Sequence, residues 1–311
     1  MLRLKESARF VLVSHCTIDG GLVIDGQGTS PTPIDARVIF QNTVISGRVK
    51  LSTNAEAVSI RGVGNGIFFY NTNITNNGLV VNVDRLTLAD GAQLNFQGVH
   101  VVSRSVLNNA VNIASFTLRN GSRLLMNNSH FERQLIPLSR LSNNRNVVEV
   151  ESTFICEDSD FGFYNSQLVS KTTKYFRSSI WLKYGATGVK GCNFFFIGNT
   201  FTNNATYDDA PTVDIHGGSM DLSTVVFRNN TFDTPKVPLT EATDCSSSKC
   251  FDDTSLLYGE NYYVGSSSVT DLLKGNTDTF GRSNVQYKYV LRDNQNLATN
   301  LTFGASAAGT Q

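Results

Sequence analysis

The sequence has little charge, one tryptophan and no long apolar run. Charged residues make up 17% of its 311 residues, and 26 basic residues balance 26 acidic ones. This balance argues against an electrostatic partner such as nucleic acid or an anionic membrane. No apolar run approaches the roughly 18 residues of a membrane-spanning helix, so we expect no membrane span within this chain. The start, MLRLKESARF, has no signal-peptide core, so an export signal would have to lie outside this chain.

Cysteine is also scarce, at 5 residues. Cys245 and Cys250 stand close together in DCSSSKC, where a small local disulfide is predicted. Cys16, Cys156 and Cys192 are far apart in the sequence, and each is interpreted as a small buried apolar side chain.

Glycine and phenylalanine are abundant, at 25 and 20 residues, and asparagine is frequent as well. Such a composition is typical of strands and turns and is poor in helix formers. Within it, LTLADGAQLNFQGVHV (Leu86–Val101) is repeated as FTLRNGSRLLMNNSHF (Phe116–Phe131), 30 positions later without a gap. A repeat of this length indicates a solenoid, a propeller or a similar array.

A shorter pattern recurs along most of the chain. An apolar anchor is followed by Asn, Gly or His two positions later and by an apolar residue five positions later, and the residue two positions before it is usually apolar. Apolar residues at minus two and zero share one face of a strand. Asn and Gly tolerate left-handed backbone angles, so a turn is predicted at plus two. The anchors recur every 27 to 37 residues and are Val13, Phe40, Phe69, Phe96, Met126, Phe163, Phe196 and Phe227.

A second turn is predicted five positions before most anchors. Short strands with such frequent corners are not those of a βαβ protein, and a propeller blade needs about 40–50 residues. A phenylalanine column stacked inside at about 4.8 Å spacing favours a parallel β-helix. The sequence therefore predicts an all-β, single-stranded parallel β-helix, a right-handed solenoid of about eight coils of 27–37 residues. The second set of predicted turns is Asp35, Gly64, Gly91, Gly121, Asp158 and Gly191.

The pattern breaks after Phe232, which divides the chain into three predicted parts. Residues 1–234 form the β-helix. Residues 235–275 are a loop-rich insertion with the Cys245–Cys250 pair and a short capped helix at 266–275. Residues 276–311 supply last strands or the cap that a solenoid needs, the alternative being a cut through a longer array.

Many parallel β-helices cleave polysaccharides, so clustered carboxylates are candidate acids and bases. Asp208, Asp209 and His216 form the best cluster, in TYDDAPTVDIHGG, and Arg228 is a candidate for stabilising developing charge. The order is similar to that of polygalacturonases, but Phe201 replaces a third carboxylate. The groups also lie 8 to 12 residues apart rather than one coil apart. A solvated acidic loop is therefore the preferred interpretation.

Two further sets of residues offer metal ligands. Glu157, Asp158 and Asp160 in CEDSDF place oxygen ligands close together for Ca²⁺, although Asp158 also falls on a predicted turn. His100 and His130 occupy equivalent repeat positions and are expected to be neighbours on adjacent coils. No third ligand with comparable spacing accompanies them, so a surface ladder is predicted instead of a metal site.

The repeats resemble those of a known family. VLVSHCTIDGGLVIDG, LTLADGAQLNFQGVHVV, FTLRNGSRLLMNNSHF and STVVFRNNTF are similar in style to the dispersed gene family surface proteins of trypanosomes, over roughly residues 11–232. The resemblance implies a β-helix, a place at the cell surface, a membrane anchor in parts absent from this chain, and a role in adhesion to a host. It assigns no functional residues.

The leading hypothesis is therefore a non-enzymatic β-helical segment of a cell-surface or secreted protein. Its loops would bind a host or extracellular-matrix protein or glycan, with no cofactor. The alternative is a polysaccharide lyase or glycoside hydrolase of the β-helix type that acts on acidic glycans. That alternative rests on analogy of fold and on the Asp208–Asp209 region.

Overall fold

A computed structural model of the chain shows an all-β solenoid of 30 strands with no helix among the described residues. The structure describes residues 1–5, 10–25, 34–47, 56–104, 109–134, 146–171, 179–184, 189–203, 212–217, 220–221, 223–233, 239–240, 255–259, 262–264, 295–296 and 301–302.

The strands follow one another in coils, each of which contributes to three faces. Coils 1 to 3 are β1 (Leu2–Lys5), β2 (Phe10–Ser14) and β3 (Thr17–Asp19); β4 (Leu22–Asp25), β5 (Ile34–Gln41) and β6 (Val44–Ser46); and β7 (Val58–Tyr70) with β8 (Asn73–Asn76). Coils 4 to 6 are β9 (Val81–Leu88), β10 (Gln93–Gln97) and β11 (His100–Ser103); β12 (Val111–Arg119), β13 (Arg123–Asn127) and β14 (His130–Arg133); and β15 (Val148–Glu157), β16 (Asp160–Tyr164) and β17 (Gln167–Ser170).

The later coils have the same plan. Coils 7 to 9 are β18 (Ile180–Tyr184), β19 (Val189–Lys190), β20 (Asn193–Ile197) and β21 (Thr200–Asn203); β22 (Val213–Gly217), β23 (Met220–Asp221), β24 (Thr224–Arg228) and β25 (Thr231–Asp233); and β26 (Leu239–Thr240), β27 (Ser255–Gly259) and β28 (Tyr262–Val264). Two short strands, β29 (Gln295–Asn296) and β30 (Leu301–Thr302), follow.

Every coil pairs in parallel with the next, as predicted for a β-helix. The first face runs from β1 through β4, β9, β12 and β15 onwards. The second face runs from β2 through β5, β10, β13 and β16. The third face runs from β3 through β6, β8, β11 and β14. The two halves of β7 belong to the first and second faces. The pairing of β29 with β30 is the one antiparallel contact among the described strands.

The predicted register is confirmed residue by residue. Phe40 pairs with Phe69, Phe69 with Phe96, and Phe96 with Met126. The pairs continue along the remaining anchors, and Phe227 then pairs with Tyr258 in β27, one coil beyond the eight predicted. The coil count thus differs slightly from the prediction, and the right-handed sense stays a prediction.

The core is the stacked apolar interior of these coils. Phe40, Phe69 and Phe96 are fully buried, with ring centroids 5.2 and 5.1 Å apart in near-parallel planes. Met126 interrupts the column of rings. Phe131 from the third face packs edge-on against Phe96, with ring centroids 6.5 Å apart. Aromatic side chains thus stack along the axis at close to the strand spacing.

The corner between the second and third faces is two residues long in coils 1 to 8. Its first residue is the predicted turn, and its backbone is left-handed at each position: His15, Asn42, Asn71, Gly98, Asn128, Asn165, Gly198 and Asn229, with φ between 46° and 69°. Glycine suits this corner at positions 98 and 198, because a Cβ there would collide with an asparagine carboxamide of the preceding coil. The carboxamide belongs to Asn71 for Gly98 and to Asn165 for Gly198.

The second corner residue forms a buried polar ladder that the sequence pattern did not reveal. The Ser129 hydroxyl accepts from the Val99 amide at 3.1 Å, and the Ser166 hydroxyl accepts from the Ser129 amide at 3.2 Å. In the next coils, Asn199 Oδ1 accepts from the Ser166 amide and Asn230 Oδ1 from the Asn199 amide, each at 2.9 Å. These side chains therefore satisfy main-chain amides that the corner removes from the strand ladder.

The predicted turns before the anchors are only partly correct. Gly91, Gly121, Asp158 and Gly191 have left-handed backbones. The prediction is wrong for Asp35 and Gly64, which lie inside β5 and β7. In β7 the chain passes from the first face to the second within one continuous strand, so that coil needs no separate turn there.

The interpretation of three cysteines as separate buried side chains is also wrong. Cys156 and Cys192, on adjacent coils, form a buried disulfide with Cα atoms 6.0 Å apart. Cys16 is a free, exposed thiol at the corner of coil 1. A pairing between adjacent coils depends on register, which sequence spacing of 36 residues did not suggest.

Parallel pairing continues past residue 234 through β26, β27 and β28. Cys245, Cys250 and the predicted helix at 266–275 lie outside the described residues. The division into parts at 234 and 275 stays a prediction.

We predict that Phe96→Ala lowers the free energy of unfolding by about 3–5 kcal/mol, because it leaves a cavity between two coils. Phe68→Ala, on the half-buried outer face of the preceding coil and next to the column residue Phe69, should cost about 1 kcal/mol or less. Urea unfolding followed by circular dichroism measures both. Equal losses for the two variants would contradict the inward stacking of the anchor column.

The left-handed backbone of the corner residue Asn128 leads to a second prediction. Asn128→Gly should leave stability nearly unchanged, whereas Asn128→Ala should cost about 1 kcal/mol, because a Cβ disfavours the observed φ of 47°. Thermal unfolding of the three proteins side by side decides this, and an alanine variant as stable as the glycine variant would speak against the strained corner.

Candidate functional site

The two predicted catalytic residues that the structure describes, His216 and Arg228, lie on different faces. The backbone of His216 lies in β22 on the first face, paired with Lys183. Arg228 ends β24 on the second face and is exposed. Asp208 and Asp209 lie outside the described residues, so the catalytic set as a whole stays a prediction.

Residues close to this set in the sequence belong to the scaffold. Asn199 and Asn230 are buried members of the polar ladder. Phe201 is fully buried and stacks on Phe232 with ring centroids 5.1 Å apart.

The three carboxylates proposed for Ca²⁺ have separate surroundings. Glu157 pairs with Arg119 at 3.0 Å, and Asp160 pairs with Arg123 at 3.2 Å. Asp158 occupies a left-handed corner, where its carboxylate fills the space beside Gly191. Two of the three therefore face arginines. A calcium role for this set stays a prediction.

The third face brings together a cluster that sequence spacing had left incomplete. His100 and His130 pair in register on β11 and β14, and their rings meet edge to face with centroids 4.6 Å apart. Glu132, two residues after His130, contributes the missing carboxylate. One ligand atom from each of these three residues lies within 4.8 Å of the others, the one such group among the described residues.

Glu132 is nearly buried and engaged on both oxygens. Its Oε2 lies 2.9 Å from His130 Nε2. Its Oε1 accepts from Gln134 Nε2 at 2.7 Å and contacts Lys171 Nζ at 2.6 Å. Burial alone would raise the pKa of this carboxyl, but the hydrogen bonds from Lys171, His130 and Gln134 outweigh burial and lower the pKa to about 2.

The two imidazoles differ in exposure. His100 is exposed, yet partial burial, the neighbouring His130 and Lys171 lower its pKa, against the opposing effect of Glu132. His130 is half-buried, and its Nδ1 lies 2.9 Å from Gln167 Oε1 on the following coil. The two rings are thus held close together, and both nitrogens of His130 contact side-chain oxygens.

The signal for Glu132 was present in the sequence. Alternate residues of a strand point to the same face, so Glu132 shares the outer face with His130. Coil spacing alone does not reveal this ligand, because Glu132 lies only two residues from His130 on the same strand.

A second candidate site lies on the second face, in a shallow cleft of about 340 Å³ across β10, β13 and β16. The phenol ring of Tyr164 lies across Gly162, where a Cβ would collide with it, and contacts Phe195 at a centroid distance of 6.0 Å. The cleft is lined by Asn95, Arg123, Leu125, Asn127, Asp160 and Tyr164.

The polar groups of this cleft combine one ion pair with two carboxamides. Asp160 accepts from Asn193 Nδ2 at 3.0 Å as well as pairing with Arg123. The Oδ1 atoms of Asn95 and Asn127 are buried and have no hydrogen-bond partner in the described part of the chain. Burial and the charge of Asp160 raise the pKa of Tyr164 to about 12, against the opposing charge of Arg123. The phenol therefore stays a neutral hydrogen-bond donor at neutral pH.

In the part of the chain that the structure covers, there is no helix with the length and hydropathy needed to cross a membrane. In the comparisons with known proteins, no family model matches the chain, and neither a curated protein nor a solved structure matches it.

We predict that Glu132→Gln lowers the free energy of unfolding at pH 7 by about 2–3 kcal/mol in buffer with a metal chelator. The depressed pKa means that the ionised carboxylate stabilises the fold above its unfolded pKa near 4.5. That contribution is lost as the pH falls towards 2. Urea unfolding of both proteins at several pH values should show the difference shrinking below pH of about 4.5. A difference independent of pH would contradict the ionised carboxylate.

Proposed function

We propose that this solenoid is a non-enzymatic scaffold that binds a glycan in the cleft on its second face. The observation that carries the proposal is the combination of the Tyr164 ring, Leu125 and planar polar groups in one open cleft. Its volume falls in the range of small-molecule sites, which are mostly apolar with a few placed polar groups.

The charges of the cleft favour an uncharged, polyhydroxylated ligand. Arg123 is neutralised by Asp160 at 3.2 Å, so the cleft offers no net charge to an anion. Sugar hydroxyls both donate and accept hydrogen bonds, and the apolar face of a sugar ring suits an aromatic ring and a leucine.

The two unpartnered carboxamide oxygens support the same ligand class. A buried acceptor without a donor costs about 1–3 kcal/mol. Rotation of the Asn95 or Asn127 carboxamide about χ2 would turn its oxygen or its amide group towards the cleft. A hydroxyl-rich ligand could then complete the hydrogen bonding that the protein leaves open.

Placement at the cell surface or in a secreted form is part of this proposal. The Cys156–Cys192 disulfide supports folding in an oxidising compartment, where such bonds form and persist. The resemblance of the repeats to trypanosome dispersed gene family surface proteins agrees with it. Adhesion to a host or matrix glycan is the corresponding role.

Binding to an array of neutral and acidic oligosaccharides, followed by calorimetry on the best neutral ligand, tests the proposal. Tyr164→Ala should weaken binding about tenfold or more, because the ring supplies the apolar platform. Tyr70→Ala is the matched control, since Tyr70 occupies the same outward column three coils earlier and stacks on Phe68.

A second matched pair separates the ion pair of the cleft from surface charge in general. Arg123→Ala should weaken glycan binding, whereas Arg119→Ala, which removes a similar pair with Glu157 outside the cleft, should not. No binding by the wild type would contradict the proposal. Cleavage of an acidic oligosaccharide by the wild type would overturn the non-enzymatic role in favour of a lyase or hydrolase.

A further inference from the structure

The cluster on the third face has the donor set of a transition-metal site. Two imidazoles and one carboxylate are ligands that Zn²⁺ and similar divalent ions prefer, whereas Ca²⁺ and Mg²⁺ prefer oxygen ligands alone. His100, His130 and Glu132 come from adjacent strands of one continuous parallel sheet, so the scaffold holds their backbones in fixed register.

The hydrogen-bonding atoms of His130 and Glu132 that face each other can hold a cation. If His130 Nδ1 carries a proton, that proton is donated to Gln167 Oε1 at 2.9 Å. The lone pair of Nε2 then faces Glu132 Oε2, another acceptor, at 2.9 Å. A proton or a metal ion must lie between them, since two acceptors do not attract each other at that distance. Zn–N and Zn–O bonds of about 2.0–2.2 Å require only a small widening of this gap.

The surroundings orient the ligands as an outer shell does in metal sites. Gln167 contacts Nδ1 of His130 and so orients the ring, and Gln134 and Lys171 hold the second oxygen of Glu132. Such partners fix ring and carboxylate orientation and commonly matter for affinity. The Lys171 ammonium also competes with a metal ion for the Glu132 carboxylate. We therefore expect moderate metal affinity, and a variant that removes the charge of Lys171 can test the site.

His100 completes the site from the solvent side. Its side chain is exposed and makes no hydrogen bond within the described part of the chain, so its ring is free to turn towards an ion held by the other two ligands. Three protein ligands leave a fourth tetrahedral position for water.

We propose that His100, His130 and Glu132 form a Zn²⁺-type binding site that joins coils 4 and 5. Each coil of a solenoid contacts only its neighbours. An ion shared by adjacent coils therefore stabilises their interface by mass action. The site is on a different face from the glycan cleft and shares no residue with it, so either can fail without the other.

Titration of the chelator-treated, untagged full chain with Zn²⁺, and with Co²⁺ for its visible absorption, tests the site. The wild type should bind about one ion per chain in a tetrahedral spectrum and gain thermal stability. His100→Asn and Glu132→Gln should each lower the affinity at least about tenfold, since even outer-shell partners have effects of that size. Asn73 occupies the equivalent position on the preceding coil, so the strand accepts asparagine at position 100.

His15→Asn is the matched control, because His15 is another exposed histidine and occupies a corner where asparagine is common. It should bind Zn²⁺ like the wild type. Equal loss in this control, or unchanged binding by His100→Asn, would overturn the proposal.

Lys171→Gln provides a test that a purely structural role of Glu132 would not pass. This change keeps a hydrogen-bond donor and removes the competing charge, so it should raise the Zn²⁺ affinity about tenfold. An affinity that is unchanged or lower would show that Glu132 is not a ligand. This variant and His100→Asn decide the question even if Glu132→Gln fails to fold.

Discussion

In-register stacking of parallel strands is the constraint on which the rest of this solenoid depends. Main-chain hydrogen bonds place each residue over its equivalent in the next coil, so that Phe69 lies between Phe40 and Phe96 on the axis. With neighbouring strands about 4.8 Å apart, equivalent side chains must suit one another along a column. Flat rings stack well at this distance, and where Met126 takes the place of a ring, Phe131 of the third face packs edge-on against Phe96.

The corner between the second and third faces has a constant length of two residues in coils 1 to 8 and so maintains this register. Its first residue adopts a left-handed backbone, and its second residue, in most coils, points a polar side chain inwards. The inward side chains of Ser129, Ser166 and Asn199 bond to neighbouring main-chain groups, so the corner leaves few unsatisfied groups in the core. Segments of variable length instead fall at the other two corners, as between Arg133 and Val148 and between Thr240 and Ser255.

Function on such a rod arises where outward columns differ from coil to coil. Outward positions are not restricted by core packing, so a column can change chemistry at each step. On the third face the column Asn73, His100, His130, Gln167 supplies two imidazoles and the amide that orients one of them. On the second face, Gly162 leaves room for the ring of Tyr164, and the space beside the ring becomes a cleft. In both places neighbouring coils contribute side chains that are distant in sequence.

The sequence by itself determined the fold, because the anchor, the left-handed residue at plus two and the apolar residue at plus five are local requirements repeated in every coil. Register follows from aligning those repeats, as His100 with His130 shows. Only the tertiary structure decided which side chains meet across coils. The Cys156–Cys192 disulfide and the contact of Glu132 with Lys171 join positions of different repeat phase on adjacent coils, which alignment of the repeats does not reveal. The physical reason is that the backbone period fixes where each residue lies along the coil, whereas side-chain contacts depend on the length, charge and rotation of particular neighbours.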